Sequence, residues 1–403
     1  MPTRSWRCTA AGMTKKPGER ADQTVTRTLP EWWVPVLESI AGIRLDSTAD
    51  LRRVAAAVRE LSHYLNDTAE RRESTTRYMN STRAREAYLL YFSTVNLLKL
   101  LPALRELNAT DVLQTARLRV LDVGCGPGTG VAGLHAFFQD RSERPILDIT
   151  AADAVQSNVR SYARAAELIA AQTGIVTEVR ETPFNLATPR GIDEEYDLII
   201  GMNVLNELPR GKRKGAMQWL GEHLSANGHL LVIEPALRET SRELLELRDY
   251  AVETGWTVFA PCFRQADCPA LQKATDWCHH DVPWQRPGFI EAIDEEIGNV
   301  KHSLKFSYLL LNRHDSTLGD HLDTDDPHRV VSELFVEKGR TWCYSCSAAG
   351  REVLQRNKRD RGEANMDFDA LERYDIIEMN GIERREHDNR VPPGGTVRRI
   401  TAD

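Results

Sequence analysis

Apolar positions recur at helical spacing early in the chain and give way to short, unbroken apolar runs after residue 117. Leu51, Val54, Val58, Leu61 and Leu65 mark one helix face, with Thr48 or Asp50 as its cap. A second helical run carries Tyr88, Leu89, Tyr91, Phe92, Val95, Leu98 and Leu101, and Pro102, which has no N–H to donate, interrupts it. From Leu118 the period changes. Runs of strand length fall at 118–123, 146–152, 176–180, 196–203, 229–233, 256–260 and 306–311, with helical stretches between them. Strands apolar throughout need burial on both faces, so this alternation predicts a doubly wound α/β sheet of seven strands. Shorter strands at 333–336, 341–345, 352–354 and 374–378 predict a small, barrel-like β domain. The division that follows is a disordered tail over 1–28, a helical domain over 29–115 and an α/β domain over 116–314 with a cysteine loop at 260–282. An acidic linker over 315–328 and a small β domain with its tail over 329–403 complete it.

Charge and cysteine usage narrow the class. A net charge of −7 excludes a uniformly basic nucleic-acid coat but leaves room for local basic faces. The segment from Arg71 to Arg85 is one, readable as a solvated helix face or as contacts to RNA phosphates. No apolar run approaches the roughly 20 residues that span a bilayer, so no membrane partner is expected. Seven cysteines, odd in number and unevenly spread, fit a reduced compartment better than a disulfide framework, which suggests a cytoplasmic protein; a monomer is expected. The Arg- and Lys-rich first 28 residues leave two alternatives to a plain tail: a mitochondrial transit peptide, or a true start at Met13.

The chemistry centres on residues 120–130, Val-Leu-Asp-Val-Gly-Cys-Gly-Pro-Gly-Thr-Gly. Glycines are needed where the backbone bends tightly and approaches a ligand without a Cβ in the way. The dinucleotide pattern G-x-G-x-x-G fails here, because Thr129 stands at its third position. The spacing of Gly124, Gly126 and Gly128, with Asp122 at the strand end, suits S-adenosylmethionine (SAM), which has no pyrophosphate to cradle. The sheet expected is then that of a class I SAM-dependent methyltransferase. Asp153, at the carboxyl end of the second strand, is preferred over mid-strand Asp148 to accept hydrogen bonds from ribose hydroxyls. Asn185 can face the adenine edge, or be an ordinary loop residue. Asn203, Asn206 and Glu207 emerge beside the methyl donor, with Asn203 lining the methyl pocket, and Asn203 and Glu207 are the candidate catalytic residues, although Glu207 also reads as a helix cap. Glu234 adds a carboxylate at the same edge.

Three further cysteines, Cys262, Cys268 and Cys278, sit in a Pro-containing loop poor in hydrophobes. Thiols gathered by such a loop point to a metal, but the spacing matches neither zinc ribbons nor ferredoxin runs. A fourth ligand can come from Cys343, Cys346, His279 or His280.

Taken together, Leu121-Asp-Val-Gly-Cys-Gly-Pro-Gly128, Ile233-Glu-Pro235, Ala260-Pro-Cys262, Cys268-Pro269, Asp276-Trp-Cys-His279 and Phe306-Ser-Tyr308 resemble one family. It is the small-subunit ribosomal methyltransferases of bacteria and mitochondria, and the resemblance covers roughly residues 85–350. It implies a SAM-binding protein of ribosome biogenesis, acting on rRNA and the small subunit. It also implies a 4Fe–4S cluster on Cys262, Cys268, Cys278 and a fourth cysteine; Cys346-Ser-Ala-Ala-Gly350 fits that last element better than Cys343. The chain departs from the family at His280, where an aromatic residue is usual, and in lacking the basic, Trp-containing ending, which puts C-terminal RNA contacts in doubt. No acceptor signature follows the fourth strand. Two rival readings therefore stand: a non-catalytic assembly factor, and a zinc-stapled methyltransferase acting on a small molecule or protein.

Overall fold

The computed structural model describes residues 28–66, 81–299, 301–386 and 388–400. All but the last residue of the tail expected over 1–28, including Cys8, and the arginines at 71 and 72 lie outside the described residues.

Helices α1 (Trp33–Ala41) and α2 (Thr48–Asn66) open the fold. Ser47, rather than Thr48 or Asp50, caps α2: its hydroxyl accepts the Asp50 N–H at 3.3 Å. A long helical run follows as α3 (Thr82–Ala87), a π-helical turn over Tyr88–Ser93, α4 (Thr94–Leu97) and α5 (Leu100–Leu107). The break falls at Leu98 and Lys99. Pro102 sits in the first turn of α5, where no intrahelical donor is required. Contrary to the sequence expectation, the stretch Thr82–Leu107 is long and apolar enough to cross a membrane; yet 83% of its apolar window is buried in the protein, as in a core helix.

The first sheet contains β1 (Arg117–Val123), β2 (Ile146–Asp153), β3 (Thr177–Pro183), β4 (Tyr196–Met202), β5 (Leu224–Pro235), β6 (Thr257–Ala260), β7 (His280–Pro283) and β8 (Ser303–Asn312). Its order is β3-β2-β1-β4-β5-β8-β6, with β8 antiparallel to β5 and β6 and the remaining pairs parallel. This is the class I SAM-dependent methyltransferase sheet. The eighth strand, β7, lies antiparallel on the first half of β8 and was not anticipated; it comes from the end of the cysteine loop.

The N-terminal helices have no core separate from the sheet. Trp33, Leu37, Val58, Leu90 and Leu104 pack in one cluster with Leu118, Val120 and Ile149, and with residues of α6 (Thr129–Phe138) and α7 (Gln156–Thr173). The opposite face is covered by α8 (Arg210–Glu222) and α9 (Arg238–Glu253), through Met217, Leu220, Leu244 and Leu247. Helix α10 (Gly288–Ile297) returns to the first face, through Ile290 and Ile293.

A second sheet has the order β14-β15-β12-β11-β9-β13-β16, an open path rather than a closed barrel, with β10 on β11. Its strands are β9 (His328–Val330), β10 (Phe335–Glu337), β11 (Arg340–Ser347), β12 (Gly350–Asn357), β13 (Ile376–Asn380), β14 (Glu383–Arg384), β15 (Asn389–Arg390) and β16 (Thr396–Ile400). The C-terminal stretch read as a tail is therefore paired up to Ile400. The acidic stretch read as a solvated linker is also partly packed. A 3₁₀ turn over Leu318–His321, boxed by Thr317 and Asp320, buries Leu318 completely, and β9 begins at His328.

Buried Arg329 on β9 binds the two sheets and the helices together. Its guanidinium donates to Glu106 Oε1 (2.6 Å), Tyr374 O (2.9 Å) and Pro261 O (3.1 Å), while Tyr308 donates to Glu106 Oε2 (2.6 Å). Removing one partner of a buried pair strands the other, at a cost of about 3–5 kcal/mol. Glu106→Ala should therefore lower the urea-unfolding free energy by roughly 3 kcal/mol, whereas Glu337→Ala, at an exposed pair with Arg340, should change it by less than about 1 kcal/mol.

Candidate functional site

The glycine turn joins β1 to α6, and its three assigned glycines do different things. Gly124, Gly126 and Gly128 all have positive φ (63°, 55° and 120°). A Cβ on Gly124 would meet Val204 Cγ2 at 2.5 Å, and one on Gly128 would meet Ala165 Cβ at 2.9 Å; a Cβ on Gly126 would meet only Tyr88 Cε1, at 3.8 Å. Gly124 and Gly126 line a cavity at the carboxyl edge of the sheet; Gly128 instead lets α7 approach the loop. Asp122 also lies off that cavity. It is 2% exposed beneath the turn, and its Oδ2 fills the place that a Cβ on Gly130 would need. Burial raises its pKa to about 8.

Asp153 faces the cavity and already organises it. Oδ2 accepts the Gly126 N–H at 3.0 Å, and Oδ1 accepts from the Val155 N–H (2.7 Å) and Asn158 Nδ2 (3.2 Å). A carboxylate has about four acceptor positions, so capacity remains for a ligand hydroxyl. Asp148 lies elsewhere, paired with Arg117 at 3.1 Å. Asn185 reaches the cavity rim, where its side-chain oxygen accepts the Ala187 N–H at 2.9 Å between buried Phe184 and Leu186.

After β4 the backbone turns through Asn203, at φ 55°, whose N–H bonds Ile233 O at 2.8 Å. Asn203 and Glu207 line the cavity with Tyr88. Glu234 does not. It is buried below the turn, where Oε1 accepts the Leu205 and Asn206 N–H groups (2.9 and 3.2 Å) and Oε2 accepts the Asn206 side chain, and burial raises its pKa to about 7. Asn206 is likewise occupied in holding the turn. Arg213 clamps it from outside, donating to Asn206 O and Leu208 O, both at 3.0 Å.

The second site is a cavity of about 250 Å³ between the sheets, lined by Cys262, Cys268, Cys278 and Cys346. Helix α9 holds its loop: Arg242 donates to the carbonyls of Lys273 (2.8 Å) and Asp276 (2.7 Å), buried Arg248 to those of Arg264 and Ala266, and Asp249 accepts the Cys268 N–H at 3.0 Å. Alternation along β11 sends Cys346 to the cavity side and Cys343 into the core of the second sheet, with Leu354 and Ile377. His279 lines the cavity, and His280 stacks on Tyr374 at 4.2 Å. Among the described residues, no group of three or more His, Cys, Asp or Glu side chains is disposed to hold a single metal ion.

A family model described as "Mitochondrial small ribosomal subunit Rsm22" matches residues 82–364. The chain belongs to this family. The matched span runs from α3 past Cys346 and so contains the whole first cavity and the four thiols of the second, whose lining residues Arg373 and Tyr374 lie beyond it. No curated protein matches the chain. Among solved structures it is similar to magnesium protoporphyrin IX methyltransferase (ChlM) from Synechocystis PCC 6803 with bound SAM, at 13% identity and TM-score 0.34, covering 64% of this chain and 97% of that one. It is also similar to the plantazolicin methyltransferase BpumL with SAH, at 9% identity and TM-score 0.35 (66% and 100% covered), and to a ribosomal protein L11 methylase from Lactobacillus delbrueckii subsp. bulgaricus, at 13% and 0.30 (52% and 78% covered). The strand order itself carries the fold assignment.

Sequence reasoning missed Tyr88 as a site residue, along with Asn158, Arg242 and Arg248. Tyr88 opens a π-helical turn, a feature common at functional sites but without a sequence signature. Arg248 and Asp249 look like ordinary helix-surface charges until the loop they hold is placed.

Two outcomes follow from this geometry. Gly124→Ala and Asp153→Ala should each weaken S-adenosylhomocysteine (SAH) binding at least tenfold by calorimetry. A carboxyl whose folded pKa is raised loses stability as pH rises from its ordinary value of 3.8 toward about 8. Thermal melting should accordingly fall between pH 5 and pH 8.5, and Asp122→Asn should reduce that fall, with the remainder coming from groups such as Glu234.

Proposed function

We propose that the chain is a SAM-dependent methyltransferase acting, as a single chain, on rRNA of the small ribosomal subunit, with a 4Fe–4S cluster between its two sheets. One observation carries the cofactor reading: Gly126, without a Cβ, is tied by its N–H to Asp153 at the edge of a cavity that Asn203 closes. When bound there, SAM supplies an electrophilic methyl on a sulfonium. The residues orient and shield. Asp153 would hold the ribose, Asn185 would border the base, and Asn203 and Glu207 would meet the acceptor, so that positioning would do most of the work. The ribosomal substrate rests on the family, and its mitochondrial description favours that compartment over the cytoplasm; the residues on which a transit peptide would be read lie outside the described ones.

The four thiols fit a cluster better than a single ion. Zinc needs four ligand atoms at about 2.0–2.3 Å from one point, and no group of three or more such side chains is so disposed among the described residues; a cluster, being larger, asks less convergence of the four thiols. Arg248 and Arg351 face them with compensating charge. Cys262, Cys268, Cys278 and Cys346 would hold the cluster, which would cross-link the sheets. A second reading, a non-catalytic assembly factor, is favoured by Glu234 being committed to the turn instead of facing an acceptor.

The test combines labelled-methyl transfer from SAM to immature small subunits with iron and sulfide analysis of anaerobically purified protein. Transfer lost in Asp153→Ala supports the enzyme, and SAM binding without transfer supports the assembly factor. About four irons per chain, lost in Cys346→Ser and kept in Cys343→Ser, support the cluster; about one zinc refutes it.

A further inference from the structure

The chamber beside the cofactor cavity has no part in the readings above. It lies between the 82–107 helical run and the carboxyl ends of β4 and β5, and meets the cofactor cavity at Tyr88, Asn203 and Glu207, which line both. Its volume is about 320 Å³, within the range that encloses a small organic ligand. Tyr88 and Phe92, stacked at 5.6 Å and 29°, form an aromatic wall.

Lys99 and Lys301 face the same space. Lys99 is 9% exposed, and the charge that acts on it is another cation, Lys301. Lys301 lies 4.6 Å from the Tyr91 ring centre and feels Asp294 only as a partial offset. Burial lowers both, Lys99 to about 7 and Lys301 to about 8. Lys305, at the rim, is already paired with Asp281 at 3.2 Å. Buried Lys99 and half-buried Lys301 disfavour each other's charge, and an anion arriving between them would hold both protonated. An aromatic wall, two cations and an opening toward the methyl donor together describe an acceptor carrying both a ring and a negative charge.

We propose that this chamber holds the acceptor nucleotide of a single-stranded RNA, its phosphate between Lys99 and Lys301, its base against Tyr88 and Phe92, and its edge turned toward Asn203 and Glu207. The inference rests on the methyltransferase reading and adds the substrate subsite to it. Single-stranded RNA is recognised in this way, by unstacked bases laid on aromatic side chains with cations on the backbone.

The test is fluorescence anisotropy of a labelled mixed-sequence RNA hexamer on the full chain saturated with SAH, over a range of salt. Lys99→Met and Lys301→Met should each weaken binding about tenfold and reduce the salt slope by about 0.7, the value for one single-strand phosphate. Lys99→Arg should restore part of the loss. SAH affinity should be unchanged, and melting temperature unchanged or raised, because the methionines remove buried charge. Photocrosslinking of a 4-thiouridine hexamer should mark the peptide that contains Tyr88 and Phe92. RNA binding indifferent to both methionine variants, or competition by inorganic phosphate as strong as that by unlabelled hexamer, would overturn the proposal. Failure of the wild-type chain to bind SAH would remove the cofactor reading, while the lysine variants, assayed without SAH, would still decide the chamber.

Discussion

A guanidinium taken out of water needs acceptors, and Arg329 finds three of them in three different parts of the chain. Its carboxylate partner, Glu106, belongs to α5, one carbonyl belongs to Pro261 at the start of the cysteine loop, and another to Tyr374 just before β13. Arg329 is also the register partner of Cys346 across β9 and β11. The same residue that fixes where Cys262 begins thus fixes where Cys346 ends up, which is how two sheets far apart in sequence come to share one thiol-lined cavity.

Carboxylates play the matching role at the cofactor edge and at the cysteine loop. Asp153, Glu234 and Asp249 each accept backbone N–H groups from a loop that would otherwise be free to wander. A hydrogen bond to a charged acceptor is stronger than a neutral one, and a backbone donor fixes the loop itself instead of a side chain. The division of labour is clear in the turn after β4: Glu234 and Arg213 hold it from below and outside, so that Asn203 and Glu207 remain to face the cavity. The residues nearest the chemistry are thereby spared the work of support.

How much of this was legible in sequence follows from the same physics. The central strands of the first sheet are buried on both faces, and unbroken apolar runs announce that directly, whereas edge strand β3 is mostly exposed. The C-terminal strands are short and their edges polar; β14 and β15 have two residues each, too few to show any alternation. The glycine turn was readable as a turn, but not which glycine meets the ligand, since Gly128 and Asp122 differ from Gly126 and Asp153 only in what folds against them. The family resemblance favoured Cys346 over Cys343, but the physical distinction between them is strand parity, which needs the register of β11. Lys99 carried the faintest signal, a lone cation in an apolar stretch, and it became meaningful only when Lys301 arrived beside it from more than two hundred residues away.

The spread of the four thiols along the chain has a temporal side. Cys262, Cys268 and Cys278 leave the ribosome together, whereas Cys346 follows only after β8, the Leu318–His321 turn and β9 have been made. Any group that requires all four must wait for the second sheet to emerge and pair β9 with β11. Until then the loop's thiols are open to oxidation and to foreign metals, and α9, already synthesised, is what can keep them in order. Closure of the thiol cavity is thus a late step in the maturation of each new chain.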